Sequence, residues 1–367
     1  MHEQDQMTPN ERLQAFIKGE KMDRILAMPI LVSISHRVAG ITHREKRASA
    51  EKQAQSQIDC YKRYGNDLMI IEYGLHGVGT ALGSEMNDPE DSLPAIVNHV
   101  LQDLKDIDQL DFDKTKKEND PWFAKTLEAC KICQEKMGQE IPTGVLITGP
   151  FTAVSSIYPT ENLLRATRKD PASIHRLLRL CTDALKDIYK EYIQRGIIIV
   201  MCDPIASGTL LRKSQYIEFV KPYATELMNH IHELGGMCCY HICGNTTKIV
   251  MDMVDTGPDM LSIDNLVDLE YVKGQVGKRL PILGNVPPVD VLMLGSRSDI
   301  FESVKTCILK GKDSPKGYIV ASGCDITQNV PVENIDYMME AVRKYGRYPI
   351  DEALLNDPAT NNYIEII

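Results

Sequence analysis

Residues 196–204 read GIIIVMCDP, an unbroken apolar run between a glycine and an Asp-Pro pair. The run is rich in isoleucine and shows no alternation of apolar and polar residues, which is typical of a parallel strand buried on both faces. Helical patterns flank it, at 171–195 before the run and at 212–235 after it. A buried strand between two helices is the repeating unit of an α/β fold.

The same pattern recurs along the chain. The other short apolar runs lie at 27–35, 67–73, 144–150, 236–244, 259–265, 281–286 and 318–324. With 196–204 they make eight runs that alternate with helical patterns, which predicts an α/β protein built as a single (β/α)₈ TIM barrel over residues 1–367. An open doubly wound sheet is the alternative, but no G-x-G-x-x-G follows an early strand, which disfavours its dinucleotide-binding form.

Two segments do not fit the simple repeat. Within residues 1–25, an N-terminal helical extension is predicted at 8–25, capping the barrel, and residues 74–120 form a long insertion after the second strand. The remaining helical patterns lie at 47–65, 121–138, 245–255, 297–311 and 332–345.

Composition narrows the class of protein. A net charge of −10 over 367 residues argues against nucleic acid or an anionic membrane as the main partner. No run approaches the ~18 apolar residues of a membrane-spanning helix, and the start lacks the pattern of a secretory signal. We therefore expect a cytoplasmic enzyme whose ten cysteines are reduced.

Polar residues gather where the predicted strands end. Because (β/α)₈ enzymes carry their active sites at the carboxyl ends of the strands, these residues are the candidates for a site. Each could instead cap a loop, but charged groups after buried runs are costly unless they are paired or bound. The candidates are His36, Glu72, Asp203, His241, Cys243, Asp264, Asn285 and Cys324.

Three of these candidates have the chemistry of metal ligands. His241 and Cys243 are two residues apart, so both side chains face the same side of a strand. Alone, this pair favours a buried core, but Cys324 at another strand end adds a third ligand. One imidazole and two thiolates suit Zn²⁺, and three protein ligands leave a fourth position open, as in catalytic sites. By sequence count the fifth and eighth strands carry these residues, so they can meet only over the barrel mouth.

Four further stretches carry recognisable motifs, namely MTPNERLQAFIKGEKMDRIL at 7–26, GPFT at 149–152, ILGNVPP at 282–288 and NVPVENIDYMMEAVRKYG at 329–346. In these motifs the chain resembles the uroporphyrinogen decarboxylase superfamily over nearly its whole length. HICG at 241–244 with SGC at 322–324 is similar to the zinc-dependent corrinoid methyltransferase branch, which includes the methylcobamide:coenzyme M methyltransferases.

The resemblance implies a zinc-dependent methyl transfer from a methylcobamide that a small corrinoid protein presents. His241, Cys243 and Cys324 are then the zinc ligands, and Asp264 is the candidate for the fourth position when substrate is absent. Asp203 and Glu72 are candidates for orienting the histidine or shaping the pocket. His36 and Asn285 are candidates for lining the substrate site, and 74–120 is a candidate contact surface for the corrinoid protein.

Several activities stay open at this level. The methyl acceptor could be a thiol such as coenzyme M or a non-thiol such as tetrahydrofolate. The reverse direction, from a methoxy- or methylamine-type donor to Co(I), needs the same ligands. True uroporphyrinogen decarboxylase fits less well, because SISHRVAG at 33–40 offers Arg37 where decarboxylases carry several arginines. A non-catalytic barrel that binds corrinoid or tetrapyrrole is the fourth possibility.

Overall fold

A computed structural model of the protein describes residues 2–356. The strands in that range are β1 Met69–Gly74, β2 Glu85–Met86, β3 Ile96–Asn98, β4 Thr143–Thr148, β5 Ile198–Cys202, β6 Cys238–Ile242, β7 Met260–Ile263, β8 Ile282–Val286 and β9 Tyr318–Ser322. Seven of them form one parallel sheet in the order β1-β4-β5-β6-β7-β8-β9, so strands that follow one another in this set are also neighbours in space. This is the strand order of a (β/α)₈ barrel, and the predicted fold class is confirmed.

The first apolar run, 27–35, was predicted as a strand, and this detail is wrong. Only Ala27 forms a bridge, to Val320 of β9, while its carbonyl accepts a hydrogen bond from Asp67 N at 2.8 Å, just before β1. The segment therefore closes the barrel between its last and first strands without a regular ladder. Pro29 has no N–H to donate, and the N–H of Ile30 bonds instead to the Ser322 hydroxyl at 3.1 Å.

The described residues form sixteen α-helices, most of which cover the outside of the sheet. They are α1 Pro9–Lys18, α2 Ser35–Val38, α3 His43–Ala48, α4 Ala50–Tyr64, α5 Gly77–Leu82, α6 Pro121–Met137, α7 Pro150–Ile157, α8 Thr160–Lys169, α9 Pro171–Ile193, α10 Lys213–Phe219, α11 Lys221–Glu233, α12 Val250–Val254, α13 Leu269–Val276, α14 Arg297–Gly311, α15 Val332–Tyr345 and α16 Glu352–Asn356. The pattern at 212–235 is two helices and not one, because Pro222 cannot continue an incoming helix and instead occupies the first turn of α11.

The N-terminal helix is shorter than predicted. Helix α1 begins after the N-cap Thr8, whose hydroxyl accepts from Glu11 N, and ends at Gly19, which has φ +68°. Its Leu13 packs against the apolar cluster inside the barrel, which includes Met28, Ile30, Ile70, Val200 and Ile319. The helix thus lies against the end of the barrel opposite the carboxyl ends of the strands.

Residues 74–120 contain α5, the short antiparallel pair of β2 and β3, and two 3₁₀ turns. The segment follows β1 and returns to the barrel at α6, so its loops lie at the carboxyl-terminal face of the sheet. Its description as an insertion in a single domain stays a prediction. No helix in residues 2–356 is long and apolar enough to cross a membrane.

A buried group of charged side chains lies near the N-terminal helix. The side chains of Arg12 and Asp67 are both 0% exposed and form an ion pair. Arg24 donates to Asp67 Oδ2 at 2.7 Å and to Asp5 Oδ1 at 3.0 Å, while Arg12 Nε donates to Asp23 Oδ1 at 2.7 Å. Burial alone would raise the pKa of Asp23, but Arg12 and two backbone amides hold that pKa well below its ordinary value. The group therefore joins the chain start, α1 and the beginning of β1 through paired charges.

Candidate metal centre

Three potential metal ligands meet at the carboxyl-terminal face of the barrel. His241 Nε2 lies 3.2 Å from Cys243 Sγ, and Cys243 Sγ lies 3.4 Å from Cys324 Sγ. All three ligand atoms lie within 4.8 Å of one another. The structure therefore brings together residues from β6, from the loop after it and from the loop after β9.

The alternation of the strands places His241 and Cys243 inside. In β6, Cys239 belongs to the cluster inside the barrel, whereas Tyr240 and Ile242 belong to the outer core between sheet and helices. His241 and Cys243 continue the inward set, as the two-residue period requires. On β9, Ile319 and Ala321 face inward, and Gly323 then turns the chain so that Cys324 reaches the other two donors.

The histidine ring is held from its other nitrogen. His241 Nδ1 lies 3.0 Å from the hydroxyl of Ser262, which stands opposite it on β7. With Nδ1 carrying the proton and Ser262 accepting, the lone pair of Nε2 points at the thiols. Sequence reasoning missed Ser262 and offered Asp203 and Glu72 as candidates for orienting the histidine or shaping the pocket, whereas the hydrogen-bond partner of Nδ1 is Ser262. Ser262 could have been found from the sequence, because it is the one polar residue of β7, the strand beside β6.

The two thiols influence each other. The hydrogen bond from Cys243 lowers the pKa of Cys324, and His241 adds to this effect against the opposing effect of burial. The thiolate is the form of cysteine that binds metals. The cluster is therefore prepared to present a thiolate beside an imidazole nitrogen.

The three donors line a cavity of about 550 Å³, the size of a site for a small organic molecule. Much of its wall is apolar, formed by Ile30, Val32, Leu75, Met86, Leu93, Pro94, Trp122 and Leu146. Charged side chains contribute in four places, at Arg47, Glu72, Asp88 and Asp325. The cavity is thus a mostly apolar pocket with the sulfur and nitrogen donors on its floor.

Glu72, at the end of β1, lines this cavity as the sequence predicted for a strand-end residue. Its Oε2 accepts from Lys46 Nζ at 3.2 Å, and Lys46 is buried. Burial would raise the pKa of Glu72, but Lys46 and His43 outweigh this effect and the pKa lies below its ordinary value. Glu72 is therefore a carboxylate at the pocket wall, bonded to lysine and without a hydrogen bond to His241.

Asp203 does not reach the cavity. Ile198, Val200 and Cys202 of β5 face inward, so the next residue faces outward. The carboxylate accepts from Thr152 N at 2.7 Å and from Phe151 N at 3.3 Å, at the start of α7. Complete burial raises the pKa of Asp203 to about 6. Asp203 is a helix cap in this structure, which was the alternative interpretation of the sequence.

Asp264 and Asn285 also lie outside the donor group. Asp264 Oδ2 accepts from Gly244 N at 2.7 Å and Oδ1 from Leu266 N at 2.8 Å, so the carboxylate stabilises the loops beside the cluster. Asn285 donates to Asp264 O at 3.1 Å and Val267 O at 2.7 Å and lines a separate cavity outside the barrel. The regular alternation of β8 is interrupted at Gly284, which has φ +148°, a conformation that favours glycine.

His36 is buried in α2, where its Nδ1 lies 2.8 Å from Ser33 O. Its ring stands 5.2 Å from that of His43, and burial lowers the pKa of both. Arg37, the one arginine of that predicted segment, bonds to Gln328 O at 2.6 Å and is not part of the cavity wall. Neither residue contacts the donor group, and the role of His36 in lining the substrate site stays a prediction.

We expect Ser262→Ala to weaken zinc affinity by about ten- to a hundredfold, because the imidazole loses the partner that fixes its orientation and tautomer. The measurement is competition with a chromophoric chelator. Ser156→Ala is the control, since Ser156 is equally buried and its hydroxyl accepts from Gly79 N at 3.0 Å, away from the donors. Unchanged zinc affinity in Ser262→Ala would show that the hydroxyl does not orient the ring.

Comparison with known proteins agrees with this architecture. The methylcobamide:CoM methyltransferase MtbA of Methanosarcina acetivorans is 27% identical over 346 residues, covering 92% of this chain and 98% of the relative. The methylated-thiol–coenzyme M methyltransferase of Methanosarcina mazei is 24% identical over 347 residues, covering 92% and 90%. A solved structure of a methyltransferase from Methanosarcina mazei shares the fold, with a TM-score of 0.80 at 24% identity and coverage of 93% and 99%.

The family of the protein is shown by a match to a family sequence profile. The sequence profile described as uroporphyrinogen decarboxylase matches residues 8–345, which is nearly the whole barrel and its N-terminal helix. That range includes β1, all later strands of the sheet and the three donors. The chain belongs to the uroporphyrinogen decarboxylase family.

Proposed function

We propose that this protein is a zinc-dependent methyltransferase that moves a methyl group between a corrinoid and a small acceptor. The observation that carries the proposal is the group formed by His241, Cys243 and Cys324 on the floor of a cavity. Relatives that align over at least nine-tenths of both chains are named as methyltransferases acting with methylcobamide or methylated thiols, which supports this function over decarboxylation.

The three residues fit zinc by their chemistry. One imidazole nitrogen and two thiolates are a borderline-soft set, and three protein donors leave one tetrahedral position for a substrate. Ser262 fixes the histidine, and the hydrogen-bonded thiols favour a thiolate. Zinc bound here would act as a Lewis acid that keeps a thiol substrate deprotonated at neutral pH.

The protein residues would position and shield the reacting atoms. The apolar wall beside Leu75, Leu93 and Trp122 excludes water from the substrate, which preserves the nucleophilicity of its sulfur. The thiolate sulfur of the substrate would attack the methyl carbon of the methylcobamide substrate. A carbon–sulfur bond would form as the cobalt–carbon bond breaks, and the electron pair of the broken bond would leave with cobalt as Co(I).

A corrinoid carried by a small protein needs a contact surface around the cavity. Exposed apolar side chains stand on β3 at Val97 and on loops at Leu93, Leu210, Leu266, Val289 and Leu294. The carboxyl ends of parallel strands meet at one face, so these loops surround the cavity mouth. Exposed apolar groups near a pocket are typical of a protein interface. Leu93 and Val97 belong to the segment 74–120 that the sequence singled out for this contact.

Leu294, which is 70% exposed, allows a test of this surface. We expect Leu294→Glu to slow transfer from methylcobamide bound to its corrinoid protein at least about fivefold, because a charge enters an apolar contact. Transfer from free methylcobalamin should be unchanged. The control is Leu309→Glu on α14, 39% exposed and away from the strand-end loops. Equal effects of the two substitutions would remove this face from the interface.

The alternative functions require different side chains in the cavity. Uroporphyrinogen decarboxylation needs cations for a polycarboxylate, and Arg47 is the one arginine in the described cavity wall, already bonded to Ser92 O at 3.2 Å and Pro89 O at 2.9 Å. A demethylating enzyme would use the same donors on a methoxy- or methylamine-type compound. A barrel that only binds corrinoid would show no turnover.

The deciding experiment is a methyl-transfer assay with the zinc-loaded protein. Methylcobalamin is incubated with a panel of thiols and with tetrahydrofolate, and the loss of the methylcobalt absorbance is followed. We expect turnover with at least one thiol. Turnover only from a methylated donor to Co(I) would establish the demethylating direction, and none in either direction would overturn the proposed function.

A further inference from the structure

The carboxylates Glu72 and Asp325 at the cavity wall already have hydrogen-bond partners. Glu72 accepts from Lys46 at 3.2 Å, and Lys46 also donates to Val32 O at 2.8 Å. Asp325 accepts from the amides of Val32 at 3.0 Å and Ser33 at 3.2 Å. A substrate entering the cavity therefore meets carboxylates that already have hydrogen-bond partners.

The cations near the cavity are engaged as well. In addition to its carbonyl partners, Arg47 pairs with Asp88 and contacts His43. Lys125 donates to Arg47 O at 3.0 Å and stands 5.5 Å from the ring of Trp122. His76, which lines the cavity, has its pKa lowered by burial, so at neutral pH its ring carries no charge. Among the described residues of the wall and their direct contacts, no cation is left to bind an anion.

The formal charges of the wall also disfavour an anionic substrate. The acidic side chains of the wall are Glu72, Asp88 and Asp325 and its one basic side chain is Arg47, while the buried Lys46 that adjoins the wall is bonded to Glu72. An anion placed here would lose hydration without gaining a partner and would stand among carboxylates. A cation would lose hydration beside carboxylates whose hydrogen bonds are already made. An uncharged molecule loses little hydration and gains contact with the apolar side chains.

We propose that the small substrate that exchanges its methyl group in this cavity is uncharged and largely apolar, such as a neutral thiol or its methyl thioether. This inference deepens the proposed function and rests on it for the reacting group. It separates this chain from an enzyme whose acceptor is an anionic thiol such as 2-mercaptoethanesulfonate, because such an acceptor needs a cation that the wall does not supply.

The test uses ligands that differ in charge and share a two-carbon chain. They are 2-(methylthio)ethanol, 2-(methylthio)ethanesulfonate and 2-(methylthio)ethylamine, which are neutral, anionic and cationic at pH 7. Their dissociation constants for the zinc-loaded protein are measured by ligand-observed NMR titration, which reaches millimolar affinities and needs no turnover. We expect the alcohol to bind at least about tenfold more tightly than the sulfonate and more tightly than the amine. Tightest binding of the sulfonate or the amine, or no binding of the alcohol, overturns the inference.

A charge introduced into the wall gives a second readout. Leu93 lines the cavity and is 49% exposed, so Leu93→Arg should fold and supply the missing cation. We expect it to strengthen sulfonate binding at least about fivefold and not to strengthen alcohol binding. Leu266→Arg is the matched control, because Leu266 is 62% exposed and is not part of this wall. If Leu93→Arg does not bind the sulfonate more tightly, or if both variants gain equally in sulfonate affinity, the inference that the wall lacks a free cation is contradicted.

The two proposals can fail separately. Transfer of methyl from methylcobalamin is measured in parallel to 2-mercaptoethanol, 2-mercaptoethanesulfonate and 2-mercaptoethylamine. Efficient transfer with the lowest KM for the sulfonate would keep the proposed function and overturn the charge inference. Tightest binding of the neutral thioether, together with no methyl transfer in either direction, would keep the charge inference and overturn the methyltransferase.

Discussion

Replacing Cys324 by alanine is expected to abolish stoichiometric zinc binding and to reduce methyl transfer by on the order of a thousandfold. Cys324 is one of three donors whose ligand atoms lie within 4.8 Å of one another. Two remaining protein ligands cannot hold a catalytic zinc ion in its usual three-ligand site. Loss of a Lewis acid costs several kcal/mol of transition-state stabilisation, and about 4 kcal/mol corresponds to a thousandfold in rate.

Elemental analysis of the purified protein measures the first effect, and the methylcobalamin assay measures the second. The unaltered protein should contain about one zinc per chain, since the three-ligand open site is a single-metal design. Cys202→Ala is the control, because Cys202 also lines the cavity but is not one of the three donors. Full zinc content and activity in Cys324→Ala would show that the ligand set is wrong.

Asp67→Asn is expected to lower the free energy of unfolding by about 3–5 kcal/mol, the largest stability effect that the structure predicts. Asp67 is completely buried, pairs with Arg12 and Arg24, and accepts from Ala27 N at 2.7 Å. Asparagine keeps the shape of the side chain but leaves two buried guanidinium groups with one carboxylate fewer. Urea unfolding followed by circular dichroism gives the change from the midpoint and slope.

The control for this prediction is an ion pair on the surface. Arg63 donates to Asp336 at 2.7 Å, and the two side chains are 37% and 38% exposed. Asp336→Asn should cost less than about 1 kcal/mol, because water solvates both charges in the variant. A similar small loss in Asp67→Asn would mean that the buried group tolerates an uncompensated positive charge.

The sequence predicted the barrel because its strands are buried on both faces. Parallel strands under helices must be continuously apolar, and GIIIVMCDP at 196–204 and its counterparts carry that signature without reference to their neighbours. The family resemblance is likewise a property of motifs along the chain, and it is confirmed. His241 and Cys243 could be placed on one face from their spacing alone.

The structure differs from the sequence prediction at those candidate site residues whose direction depends on strand geometry. The inward or outward direction of Asp203, Asp264 and Asn285 follows from the exact residue at which each strand ends, and a shift by one residue reverses it. Asp203 caps α7 for this reason, and Asn285 leaves the cavity at the irregular Gly284. Sequence patterns locate strand ends less precisely than that.

The sequence by itself determined the fold class and the family, and it predicted the three candidate donor residues. The tertiary structure decided how close those donors lie, that Ser262 and not a carboxylate holds His241, and that Arg47 at the cavity wall already has partners. The physical reason is how far apart in sequence the interacting residues lie. Burial and strand period act between residues near in sequence, whereas a hydrogen bond from Ser262 or an ion pair from Lys46 depends on which distant segments pack side by side.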